Sequence, residues 1–128
     1  MLEQNGFNKT FQRNLICGYL AKDPDLKFLP DGKAVCNFGL VVNRGNGKGA
    51  DYIPSVAWES KARAIADNCV KGSLIMIEGN IRSSKFKDSE DRDQFQLQFE
   101  VAGGNGLLIF MNNKKDISNS NESEGDSN

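Results

Sequence analysis

The run YIPSVAWESKARAIADNCVKGSLIMIEGNI, residues 52–81, contains a change of hydrophobic period that decides the architecture. Its two ends, YIPSVAW (52–58) and SLIMIEGNI (73–81), are short apolar runs rich in residues that suit a pleated, half-buried surface. Between them Ala62, Ile65, Ala66, Cys69 and Val70 recur at helical spacing, and Lys71-Gly72 closes the segment. The run reads as strand, one short helix, strand, with Ser60 placed to cap the helix start.

On either side of it, NLICGYLA (14–21), AVCNFGLVV (34–42), FQLQFEVA (95–102) and GLLIF (106–110) are further strand-length runs. Turn chemistry separates them: Asp23-Pro24, Pro30-Asp31-Gly32, the stretch 45–49 and Gly103-Gly104-Asn105-Gly106. Three strands, one helix and two or three more strands are the element order of an OB fold. The expected class is therefore all-β, a five-stranded barrel with one short α-helix between strands 3 and 4. Closing the sheet removes most exposed edges and leaves one face and several loops free for a ligand.

The chain has 128 residues with 38% hydrophobic content, enough to bury one modest core. No apolar run is long enough to span a membrane and the N-terminus lacks signal-peptide order, so a cytoplasmic location is expected. Cys17, Cys36 and Cys69 are far apart and histidine is absent, which supports neither a disulfide framework nor a metal site. Missing histidines also remove the commonest general acid or base. Residues 112–128 lose nearly all apolar character and read as a disordered acidic, Asn/Ser-rich tail. Four acids against two lysines give that tail a net −2, which leaves +1 for the rest of a chain whose total is −1. A body this close to neutral binds a polyanion only through local clusters of Lys and Arg.

The ordered blocks NLICGYLAKDPDLKFLPDGKAVCNFGLVVNR and KGSLIMIEGNIRSSKFKD, with a Tyr-led strand running into Trp58 between them, resemble the bacterial-type single-stranded DNA-binding protein family over about residues 13–110. The resemblance implies an OB fold over 13–111 after an N-terminal extension, residues 1–12, and no catalytic residue, cofactor or metal. It implies a homo-oligomer, usually a homotetramer with a dimer as the alternative, that coats single-stranded DNA in replication, recombination and repair without strong sequence preference, on the nucleoid or, for a phage-encoded chain, in the host cytoplasm. Carried over by position, the base-stacking aromatics are Tyr52, Trp58 and Phe86. Aromatic platforms tolerate any sequence because every base has a π-face. For the phosphates the candidates are Arg13, Lys33, Arg44, Arg82, Lys85 and Lys87, with Lys27 and Lys48 behind them. Phe86 sits between Lys85 and Lys87, a fitting context for a nucleic-acid contact. Phe38 is expected in the core.

The chain departs from the family pattern in two places. The loop 44–50 carries no aromatic, and the C-terminal residues Glu-Gly-Asp-Ser-Asn lack the apolar tip with which the family docks on partner enzymes. These departures fit a phage, plasmid or paralogous member, and recruitment of the usual replication and repair proteins is not implied. Other readings fare worse. Gly47-Lys48 has no following Ser or Thr and opens no helix, as a phosphate-binding loop requires. Asp88, Glu90, Asp91 and Asp93 read as a solvated turn rather than a metal nuclease centre. An accessory barrel acting mainly through protein partners, in replication restart or recombination, shares the fold, and the exposed aromatic set is what separates the two.

Overall fold

The computed structural model describes residues 9–112, so most of the expected extension and tail lies outside the described residues. The elements are β1 (Asn14–Leu20), β2 (Asp25–Phe28), β3 (Ala34–Asn43), β4 (Ala50–Trp58), α1 (Glu59–Asn68), β5 (Leu74–Lys87), β6 (Asp93–Val101) and β7 (Leu108–Phe110). Five strands form a closed hydrogen-bonded ring in the order β1-β3-β4-β6-β5, with β5 pairing back onto β1. All ring pairings are antiparallel except β4 with β6. Short β2 adds to β3 and β7 to β5. The helix follows the third ring strand, as its position in the sequence predicts.

Alternation along each strand builds the interior. Leu20 of β1, Ala34, Cys36, Phe38 and Leu40 of β3, Ile75 and Ile77 of β5, and Phe99 and Val101 of β6 converge on one core, and Phe38 is buried there as expected. Ala62 and Ile65 of α1 and the following Cys69 join the same cluster. Burial, then Asp25 and Cys69 nearby, push the Cys36 thiol up to about 11, so it packs as a small apolar side chain.

The helix start differs from the sequence reading. Ser60 is not the cap: Trp58 occupies that position in extended backbone, and no side chain caps the first turn. The chain leaves β4 through Glu59, whose φ of 54° is uncommon for a residue with a Cβ. The Ala34 N–H donates to Glu59 Oε1 at 2.9 Å, which ties this corner to β3. The helix ends at Asn68, and Val70–Ser73 forms a separate turn with Gly72 at φ 91°.

β5 and β6 run past the barrel as a two-stranded arm, paired from Gly79↔Val101 to Lys87↔Asp93. Its turn is organised by Asp88, whose side chain accepts from the backbone of Glu90 and Arg92 and from the side chains of Arg92 and Gln94. The Arg92 backbone N–H, ahead of the other donors, holds the Asp88 carboxyl below its ordinary value. A depressed carboxyl stabilises the fold above its unfolded value, and that contribution is lost as pH falls through the lowered one. At the arm's base, Gln12 uses its side-chain amide in place of backbone, accepting from Ile81 N–H and donating to Ile81 O.

Gly79 stands where β5 pairs with β1 and β6 at once. A Cβ there would lie 2.3 Å from Glu100 O and within 3 Å of the Phe99 ring. Gly79→Ala is expected to cost about 1–3 kcal/mol by overpacking, read as a lower urea midpoint at unchanged slope; an unshifted midpoint would show that the seam has slack.

Candidate nucleic-acid interface

Cross-strand partners share a face of the sheet, so the register determines which side chains stand together. On the outside of the barrel β3 offers Val35, Asn37, Gly39 and Val41, facing Trp58, Val56, Pro54 and Tyr52 of β4 in that order. Val56 lies beside Glu100 of β6. From Glu100 the outer row of β6 runs through Gln98, Gln96 and Gln94, opposite Asn80, Arg82, Ser84 and Phe86 of β5. Tyr52, Trp58, Phe86 and Arg82 therefore occupy one continuous outer face, although 28 positions separate Trp58 from Phe86 in sequence.

All three nominated aromatics are open to solvent, Tyr52 at 60%, Phe86 at 47% and Trp58 at 38%. Trp58 backs onto buried Val35, a pairing that suits an aromatic on a β-branched neighbour. The Tyr52 ring lies across β3 over Gly39, where an added Cβ would stand 2.2 Å from Tyr52 Oη. Lys27 of β2 pairs with Val35 and so extends the Trp58 row outward. Phe28 is also exposed, but it has the opposite parity and lies under the Arg63 guanidinium of α1, 5.8 Å from the ring centre.

The cations are distributed differently from the sequence reading. Lys85 and Lys87 flank Phe86 in sequence, yet the period-2 pleat sends them to the other face of the arm, with Ile81, Phe95 and Leu97. Most nominated cations are already ion-paired: Arg13 with Glu78 at 2.9 Å, Arg44 with Asp51 at 2.6 Å, Arg82 with Glu100 at 2.8 Å, and Lys85 and Lys87 with Asp93 at 3.3 and 2.8 Å. Lys33 is exposed in the turn before β3, where its backbone N–H donates to Asp31 Oδ1. Hydrogen bonds from Arg44 hold the Asp51 carboxyl below its ordinary value; the Leu107 N–H, then Arg13, do the same for Glu78.

Residues the sequence reading passed over also line this region. Gln94, Gln96 and Gln98 form a polar row through the outer face, and Phe95, 73% exposed, projects from the arm's other side. The signal was present in FQLQFE, whose glutamines alternate strictly with apolar residues.

Comparison with known proteins gives a consistent picture. The model of the "Single-strand binding protein family" matches residues 11–103. "Single-stranded DNA-binding protein" of Halalkalibacterium halodurans is 39% identical over 88 residues, 65% of this chain and 52% of that protein. "Single-stranded DNA-binding protein 2" of Listeria monocytogenes is 33% identical over 121 residues, 91% of this chain and 75% of the relative. "Single-stranded DNA-binding protein A" of Bacillus subtilis is 33% identical over 94 residues, 70% and 55% of the two chains. The chain thus spans about half the length of the first and third of these relatives.

The Gly39–Tyr52 contact carries its own test. Gly39→Ala is expected to swing the Tyr52 ring off β3, abolishing the nuclear Overhauser contacts between that ring and residue 39; their survival in the variant would mean that the ring does not depend on the glycine.

Proposed function

The chain belongs to the single-strand binding protein family, and on that premise we propose that it binds and protects single-stranded DNA along the outer face of β3, β4, β6 and β5. Tyr52, Trp58 and Phe86 stack on bases there and Arg82 takes a phosphate beside them, while Arg13, Lys33, Arg44, Lys85 and Lys87 take phosphates where the strand passes beyond that face, Lys85 and Lys87 on the other side of the arm. The observation that carries this reading is the register, which gathers three exposed aromatics from two distant segments onto one face. Exposed rings gathered on one face in this way mark a surface that binds a ligand. Stacking at about 1–3 kcal/mol per base suits a site with little net charge, because it needs neither bulk positive potential nor a particular base. The role is that of a binder with no catalytic step, serving replication, recombination and repair.

A second surface supports assembly. On the outside of β1, β5 and β7, Cys17, Met76 and Ile109 form one cross-strand row, with Leu15, Tyr19 and Met111 close by. Leu15, Tyr19, Ile109 and Met111 are 59%, 44%, 42% and 48% exposed. Contiguous apolar exposure of this kind marks a protein contact, and copies of this chain, four to an assembly, are its proposed occupants. Light scattering should then report a multiple of the 14.1 kDa chain mass that Tyr19→Asp lowers; a monomer at every concentration would refute the assembly.

Trp58 is the only tryptophan, so its fluorescence reports a single position. A dT oligomer is expected to quench it, and Trp58→Ala to lose about 1–3 kcal/mol of binding free energy. An unchanged signal at low salt, with undiminished binding by the alanine variant, would contradict the stacking assignment.

A further inference from the structure

The outer face carries its own competitor for DNA. On β4 and β6 the one carboxylate of that face is Glu100, beside Val56 and between the β4 aromatics and the arm. Its Oε1 accepts from Arg82 Nε at 2.8 Å, and both side chains remain partly open, 31% and 57% exposed. The arginine nominated for phosphate is thus occupied, in the free protein, by an anion of the same kind. A carboxylate and a phosphodiester oxygen offer a guanidinium the same planar hydrogen-bonding chemistry. A solvent-exposed pair of this type contributes little to stability, so a phosphate can displace it.

We infer that Glu100 sets the affinity of the face for single-stranded DNA by holding Arg82 until a phosphate exchanges with it. The inference rests on the proposed DNA-binding role of this face. Glu100 touches no base or phosphate in this scheme; it acts through Arg82. The exchange has a signature that simple charge repulsion lacks: repulsion alters salt dependence with or without Arg82, whereas the exchange alters it only when Arg82 is present. When a phosphate takes Arg82, the DNA gives up its condensed counterion, a contribution of about 0.7 to the slope for a single strand. Glu100 is left unpaired at the same moment and gathers a cation from solution, which offsets part of that release. Removing the carboxylate removes the offset.

The test uses the full chain and a dT oligomer, with affinity measured over a series of salt concentrations. Glu100→Gln keeps the shape of the side chain and is expected to bind about twofold to fivefold more tightly near physiological salt. Its slope should be steeper by up to about 0.7. In an Arg82→Gln background, the same substitution should leave the slope unchanged, because no pair remains to break. The inference is overturned if Glu100→Gln binds no more tightly than the parent, or if its steeper slope persists without Arg82, while Trp58→Ala still weakens binding. Loss of effect at Trp58 as well would overturn the placement of DNA on this face, so the two failures are distinguishable.

Discussion

Ser55 lies beside Phe99 and Val56 beside Glu100 in a short parallel seam between β4 and β6, and the geometry of the whole molecule leans on it. Without that seam the β1-β3-β4 sheet and the β5-β6 arm share only the β1–β5 edge, and Tyr52 and Trp58 have no fixed relation to Phe86. With it the ring closes, Ser55 and Phe99 are sealed at 1% exposure each, and the outer rows of four strands become one surface. Gly79 makes the closure sterically feasible, since Phe99 and the Glu100 carbonyl occupy the space a side chain there would fill. The core and the proposed DNA track thus have one origin: inward residues of the seam hold the barrel, and outward residues align the aromatics.

The electrostatics follow from the same surface. Apart from its tail the chain carries a net charge of +1, and five of the six cations proposed for phosphate are paired with neighbouring carboxylates. Such a surface has little long-range pull on a polyanion at physiological ionic strength, where screening acts over about 8 Å. Binding in the proposed account therefore draws first on ring stacking, and the cations contribute by exchanging one anion for another. Affinity becomes a property of local pairings such as Arg82 with Glu100 rather than of total charge.

Much of the fold was legible in the sequence, because its signals are local. The helical spacing of Ala62, Ile65 and Cys69 between two strand-like runs, and the turn residues at 30–32 and 103–106, required no knowledge of pairing. The four-residue β2 leaves no such signal, since DLKF is too short to show alternation and exists as a strand because β3 is there to receive it. The capping role expected of Ser60 failed because the strand runs directly into the helix, with Glu59 making the bend. For the site, residue types were readable and faces were not. Period 2 says that Tyr52, Val56 and Trp58 share a side, but only the partners of β4 decide which side is inward. The same limit concealed the separation of Lys85 and Lys87 from Phe86. The ion pairs were wholly hidden: Arg13 and Glu78 are 65 positions apart, and Arg82 and Glu100 are 18.

Whether DNA lies along the outer face can be read from an amide chemical-shift map of the full chain titrated with a dT oligomer. The largest changes are expected on the outer rows of β4, β6 and β5, at Tyr52, Trp58, Gln96, Gln98, Arg82 and Phe86, with little change at Leu15, Tyr19 and Ile109. Changes centred on the β1-β5-β7 surface, with the β4-β6 face silent, would contradict that placement.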